Sequence, residues 1–317
     1  MTRLFVIGNG FDLAHGIPST FNHFKEYLRS TYSYDYHETP SMLIQSLIDQ
    51  DGGEIYEMEK CAHIIDTLVC ESCRNISEKK DRENWSVFEK ALGYLDYSSI
   101  EEEIFDQYDK EGDINHYHTD AIYEDAYRDL TNVILKLPNL FSEWIEGISL
   151  PTDSSSVFNL STYHYFRQLI EDDDVFLTFN YTETLEELYE IDNITHIHGN
   201  RDSPVVGHNN ASQAGEKAYS QDIYINDLNR ALKKPTEKII KENEDFFESL
   251  DCDIESIYSY GFSFAEVDMN YIQEIFHCID TEKVTWYFHS YDKRNYKRYK
   301  EKIKNCGFLG SFSEFGE

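Results

Sequence analysis

The chain has 317 residues, enough for one large domain or two small ones. It carries 28 Lys+Arg against 60 Asp+Glu, a formal net charge of −32, and 15% of its residues are aromatic, with 24 Tyr and 20 Phe. The rings exclude a disordered acidic tail, which lacks the side chains to build a core, and the charge excludes a broad basic face for nucleic acid and disfavours anionic lipid; a small anionic ligand held by backbone N–H groups stays compatible with both.

Leu4-Phe5-Val6-Ile7 is a short continuous apolar run ending on Gly8, the pattern of a strand buried on both faces of a parallel sheet. The run is too short for a signal peptide or a membrane span, and no stretch of about 18 apolar residues follows, so a cytoplasmic location without membrane contact is expected. Gly8-Asn9-Gly10-Phe11-Asp12 reads as a turn. Ser19 or Thr20 can cap a helix with Phe21, Phe24 and Leu28 on one face. From 41 to 173 helical spacing dominates. Met42, Ile44, Leu47 and Ile48 form one stripe; Trp85, Phe88, Leu92 and Leu95 a second; Ile122, Leu130, Ile134 and Leu137 a third, stopped by Pro138. Cysteines stand at 61, 70, 73, 252, 278 and 306 without regular spacing, which reads as free thiols. Cys70 and Cys73 form a single CxxC with no second pair, so no metal site is expected.

Strand–helix alternation returns at Val175–Phe179, broken by Asn180-Tyr181-Thr182. Thr182 can cap the helix that follows, with Glu183, Glu186 and Glu187 at its positive end. Thr195–His198 is a short strand ending on Gly199, and 200–224 reads as a long polar loop. Pro235 can open a helix carrying Ile239, Ile240, Phe246, Phe247 and Leu250. A strand at Ile257–Tyr260 turning on Gly261, a helix over Val267–Ile279, a strand over Val284–His289 and a basic helix over Arg294–Lys304 complete the series. This alternation predicts an α/β fold with a Rossmann-like parallel sheet. The sequence divides as a single domain over 1–317, its sheet parts at 1–40 and 174–317, with a large helical insertion over 41–173.

Open α/β sheets bind ligands beyond the carboxyl ends of their strands. The residues at those ends are Gly8, Asn9, Gly10 and Asp12, then Asn180 and Thr182, then His198, and finally Gly261, Ser263 and Asp268. Gly8-Asn9-Gly10 either lets backbone amides approach a pyrophosphate or makes a tight turn with no ligand. Leu13 stands where the GxGxxG fingerprint has its third glycine. Asn180 can orient a water or a sugar hydroxyl, or be an ordinary turn residue. His198 can act as a general base, or bond to backbone at a strand end. His196 and His198 share a strand face, but two ligands do not make a metal site.

Leu4–Phe24 (LFVIGNGFDLAHGIPSTFNHF), Phe179–Tyr189 (FNYTETLEELY), His196–Asn200 (HIHGN), Val206–His208 (VGH) and Tyr260–Asp268 (YGFSFAEVD) resemble, in order, the AbiH family of bacterial abortive-infection proteins. Asn84–Glu89 (NWSVFE) is similar to that family's Trp–Glu element. The family in turn resembles, more distantly, the sirtuin-like NAD-binding fold. That resemblance implies a phage-defence effector that hydrolyses NAD to nicotinamide and ADP-ribose, with NAD as substrate and no resident cofactor. It implies Asn180 and His198 as catalytic residues. Gly8, Asn9, Gly10, Asp12, Gly261, Ser263 and Asp268 are the implied nucleotide contacts. A phage-derived trigger and a homo-oligomer are the implied partners, with no nucleic-acid grip. Asn9 and Asp12 replace the small residues usual in the sirtuin turn, and Thr182 replaces its Asp. Two other classes stay open: a nucleotide-binding sensor without turnover, and an acidic interaction protein that traps a basic partner.

Overall fold

A computed structural model describes residues 2–79, 84–151, 158–210, 220–250 and 254–316. In chain order it contains β1 (Thr2–Ile7), α1 (Asn9–Ala14), α2 (Phe21–Tyr32), β2 (Leu47–Ile48), β3 (Glu54–Ile55), α3 (Met58–Ile76), α4 (Trp85–Ala91), α5 (Ser99–Glu103) and α6 (His116–Ile134). Then come α7 (Leu137–Glu146), α8 (Leu160–Leu169), β4 (Val175–Thr178), α9 (Thr184–Tyr189), β5 (Ile194–His196) and α10 (Ser220–Ala231). The chain closes with α11 (Thr236–Glu242), α12 (Glu244–Ser249), β6 (Ile254–Tyr260), α13 (Met269–Cys278), β7 (Thr285–His289), α14 (Tyr296–Asn305) and β8 (Ser311–Phe315). Among the described residues no helix is long and apolar enough to cross a membrane.

Two compact units divide the chain: Met1–Thr20 with Ser142–Val205 and Pro235–Glu317, and Phe21–Phe141 with Val206–Lys234. These bounds differ from the insertion drawn at 41–173. The helical unit also takes α2 and α10, and 142–173 belongs with the sheet.

In the sheet unit six strands pair in parallel, in the order β5-β4-β1-β6-β7-β8. The chain steps outward from β1 to β4 and β5, then returns to the other side of β1 for β6, β7 and β8. This is the strand order of dinucleotide-binding folds, and its direction reverses between β1 and β6. The alternation along β1 divides two cores. Leu4 and Val6 join Ile257, Ile272, Trp286 and Phe288 on one side. Phe5 and Ile7 join Phe11, Phe166, Phe176 and Tyr189 on the other. A strand buried on both faces needs apolar residues at every position, as Leu4–Ile7 provides. Arg3 grips Asp174 with two hydrogen bonds, Nε to Oδ1 at 2.7 Å and Nη2 to Oδ2 at 2.6 Å, and so aligns the starts of β1 and β4.

In the helical unit Phe21 packs on Phe88 with centroids 4.7 Å apart, and Phe24 and Trp85 pack on Phe141 at 5.3 and 5.4 Å. The aromatic stripes of α2 and α4 are thus helix core, as their spacing predicts. The stripe expected at Met42–Ile48 is not a helix. The segment is extended, and Leu47–Ile48 pairs antiparallel with Glu54–Ile55. Asp49 explains the turn: its Oδ1 accepts from the amides of Asp51 at 2.9 Å and Gly53 at 2.7 Å, and Gly52 takes φ +84°.

Other boundaries shift for local reasons. Pro138 does not stop α6, which ends at Ile134; it lies in the first turn of α7, where a missing N–H costs nothing. Asn243 divides the helix expected after Pro235 into α11 and α12. Within the loop expected over 200–224, His208 bridges to Lys233 and α10 begins at Ser220. Residues 211–219 of that loop, and Cys252, lie outside the described residues. The other five cysteines are free.

Candidate functional site

The turns after β1 and β6 meet backbone to backbone. The Gly8 amide donates to Tyr260 O at 3.0 Å and the Gly10 amide to Gly261 O at 3.0 Å. A Cβ on Gly10 would lie 2.6 Å from Gly261 Cα, and one on Gly261, at φ +64°, would lie 2.4 Å from Gly10 Cα. The glycines are therefore required by this contact. Both amides expected to cradle a phosphate already have acceptors. Asn9 is partly exposed, and its Oδ1 accepts from Ser19 Oγ at 2.5 Å. The Gly261 amide donates to Asp292 Oδ2 at 3.1 Å; burial lifts the Asp292 carboxyl to about 6 against that bond.

Asn180 follows β4 and is 5% exposed. Its Nδ2 donates to Gly8 O at 3.2 Å, which ties the β4 turn to the β1 turn. Its backbone carbonyl oxygen accepts from His196 Nδ1 at 3.1 Å. Asp12, 1% exposed, accepts from Thr182 Oγ1 at 2.6 Å and Thr184 Oγ1 at 2.9 Å. Burial raises the Asp12 carboxyl to about 6, with the two threonine bonds acting against it. Thr182 thus serves Asp12, and the residue at the cap of α9 is Glu183.

The two histidines of the HIHG turn part company. His196 Nε2 lies 2.6 Å from Glu186 Oε1. Burial works to lower its pKa, but the bond to Glu186 and that carboxylate's charge outweigh burial and raise it. His198 Nε2 lies 3.1 Å from Asp268 Oδ1, both residues being about 95% buried. Phe179 and Tyr271 set their rings against His198 at 5.0 and 5.7 Å. An imidazole set beside a carboxylate in a buried setting is a pairing that general-base sites use. Among the described residues no group of three or more His, Cys, Asp or Glu is placed to hold a metal ion.

Asn180, Asp12, Gly8, Gly10 and Gly261 therefore share one hydrogen-bonded edge, and His198 pairs with Asp268 on the turns after β5 and β6. Ser263 is exposed on that last turn, between Phe262 and Phe264, of which Phe264 takes φ +52°. Sequence reasoning missed Thr184, Glu186 and Asp292. Only Glu186 carried a signal, as a carboxylate in the first turn of the helix after β4. Two further motif residues serve the helical unit: Glu89 pairs with the buried Lys234, and His208 donates from Nε2 to Asn229 O at 3.1 Å.

A six-stranded parallel sheet in this order, with polar turns gathered where the order reverses, defines a Rossmann-like α/β protein. Its family follows from the sequence: the chain belongs to the AbiH family, since a family model described as "Bacteriophage abortive infection AbiH" matches residues 4–290. That span covers the helical unit and the sheet through β7. Neither curated proteins nor solved structures give a match.

Proposed function

We propose that this protein acts in phage abortive infection by hydrolysing NAD to nicotinamide and ADP-ribose at the carboxyl edge of β1, β4, β5 and β6. The observation that carries this reading is the His198–Asp268 pair standing among turns gathered at the reversal of strand order, where open α/β sheets take nucleotides. In this reaction the bond from ribose C1′ to the nicotinamide nitrogen breaks. Its electron pair leaves with nicotinamide, a neutral base that needs no strong acid. Water oxygen bonds to C1′, and its proton passes to the His198 imidazole, which lies beside Asp268. Asn180 positions the water or the ribose, and a charged Asp12 favours the oxocarbenium-like ribose. Because the Gly8 and Gly10 amides already donate to the β6 turn, the phosphates fall to the side chains of Asn9 and Ser263.

A second reading, a sensor that binds the nucleotide without turnover, draws on burial: Asp12, Asn180, His198 and Asp268 are each at most 5% exposed. One experiment separates the two. Purified protein is incubated with NAD, with and without phage lysate, and nicotinamide release is followed beside NAD binding by calorimetry. Release that falls about 100- to 10,000-fold in folded Asn180→Ala and His198→Ala proteins supports hydrolysis at this site. Equal release by all three proteins removes the site assignment. Binding with no release under either condition establishes the sensor.

A further inference from the structure

In the helical unit the segment after α2 is extended, and its alternate residues part. Met42 and Ile44 are buried, while Leu43 and Leu47 are 38% and 49% exposed. Glu103 fixes this arrangement: Oε1 accepts from the Met42 amide at 2.7 Å and Oε2 from Ser41 Oγ at 2.5 Å. Leu43 and Leu47, with Pro40, Ile44 and Ile64, line a groove of about 560 Å³. His63, also in the lining, stacks on Tyr34 with centroids 4.5 Å apart and donates from Nε2 to Glu38 O at 3.0 Å, so the chain's own contacts hold that wall. Ile48 and Ile55, on the adjoining hairpin, are 67% and 45% exposed. Leu43 and Leu47 in the groove, with Ile55 cross-strand from Leu47, give this face exposed aliphatic side chains, while Ile48 lies on the hairpin's other face.

Charge selects that molecule. Between residues 30 and 73 the sequence has one Lys or Arg, Lys60, against nine Asp or Glu. Lys60 Nζ sits 3.1 Å from Glu57 Oε2. A second copy paired groove to groove brings the same acidic rim, and nucleic acid or anionic lipid brings more negative charge. We propose that this groove docks a peptide segment of another protein, one that presents lysine or arginine beside leucine, isoleucine or valine. The proposal goes beyond NAD hydrolysis and does not depend on it.

The test uses the full chain and three labelled 12-residue probes, alternating Lys-Leu, Lys-Ser and Glu-Leu, read by fluorescence anisotropy. The Lys-Leu probe is expected to bind at least about 10-fold more tightly than either control, and the Leu47→Asn/Ile48→Asn protein to lose about 10-fold or more of that affinity. Both positions are exposed, so circular dichroism should show an unchanged fold. In the same titration Glu38→Lys/Glu57→Lys should weaken the Lys-Leu probe and strengthen the Glu-Leu probe. Equal binding of Lys-Leu and Lys-Ser reduces the interaction to charge alone and overturns the proposal. So does Lys-Leu binding unchanged by Leu47→Asn/Ile48→Asn. Self-association in sedimentation that the same double substitution abolishes also overturns it, by assigning the groove to a second copy.

Discussion

The carboxyl edge of the sheet and the segment 41–55 of the helical unit break the usual rule of burial in opposite directions. At the sheet edge Asp12, Asn180, His198 and Asp268 are buried polar groups; Asp12 and Asn180 are hydrogen-bonded to neighbouring turns, and His198 lies against Asp268. In the 41–55 segment Leu43, Leu47, Ile48 and Ile55 are exposed apolar groups with acidic residues around them. Burying a polar group is costly unless it is hydrogen-bonded, so a dense buried network is where specific chemistry is held in place. Exposing an apolar group is costly unless something covers it, so an outward aliphatic cluster is where association is to be sought. Atypical burial thus separates a candidate reaction centre from a candidate docking surface within one chain.

Glycine substitutions sharpen this contrast most. Gly261→Ala is expected to lose about 3 kcal/mol or more of unfolding free energy in urea. It adds a left-handed strain of about 1–2 kcal/mol to an overpacking cost of about 1–3 kcal/mol, with a Cβ 2.4 Å from Gly10. Gly52→Ala in the hairpin has the same sign of φ but nothing within 4 Å, so only the strain, about 1–2 kcal/mol, is expected. Equal losses at the two glycines would show that the β1–β6 contact is not tight.

The next effect depends on pH. Burial holds the Asp12 carboxyl at about 6 in the folded chain against 3.8 unfolded. Between these values the folded form keeps a proton that the unfolded form has released, so this group's contribution to stability falls as pH rises from about 4 to 6. Asp12→Asn removes that fall. Its stability relative to the unsubstituted protein should rise by up to about 3 kcal/mol over that window, measured by urea unfolding at each pH. His15 and His289, both pushed down to about 4 by burial, act with the opposite sign: the unfolded chain binds more protons below its ordinary histidine pKa, so stability rises with pH. Their contribution is common to both proteins and drops out of the difference. A flat difference curve would show that Asp12 is not desolvated.

The smallest effect belongs to the exposed cluster. Leu47→Asn/Ile48→Asn should change unfolding free energy by no more than about 0.5 kcal/mol per site, because neither side chain is buried in the free chain. A larger loss, seen by thermal or urea unfolding, would place these residues in the fold's own core and dissolve the contrast.

The sheet was legible in the sequence where its strands are buried on both faces: Leu4–Ile7, Val175–Thr178 and Ile257–Tyr260 are near-continuous apolar runs, and each ends at a turn residue. β8 escaped notice because Ser311–Phe315 alternates polar and aromatic residues on an edge strand and has no such run. The 41–48 segment misled for a related reason. Four aliphatic residues in seven fit both a short helix stripe and a two-faced extended segment, and only the turn built by Asp49 and Gly52 decides between them. At the site, strand ends located Asn180, His198 and Asp268, because topology alone brings successive strand ends to one edge. The role of Gly8 and Gly10 was not legible. Closeness to a phosphate and closeness to the β6 turn require the same small residue. Asp292 was hidden too, since nothing local to Ser290–Asn295 says that its carboxylate accepts from Gly261.

The central claim, that His198 and not its neighbour His196 carries the chemistry, is tested by one comparison: nicotinamide release from NAD by the unsubstituted protein, His198→Ala and His196→Ala, each shown folded by circular dichroism. The account predicts a loss of about 100-fold or more in His198→Ala and a much smaller change in His196→Ala, whose partner is Glu186. Equal losses in the two variants, or release unaffected by His198→Ala, would contradict it.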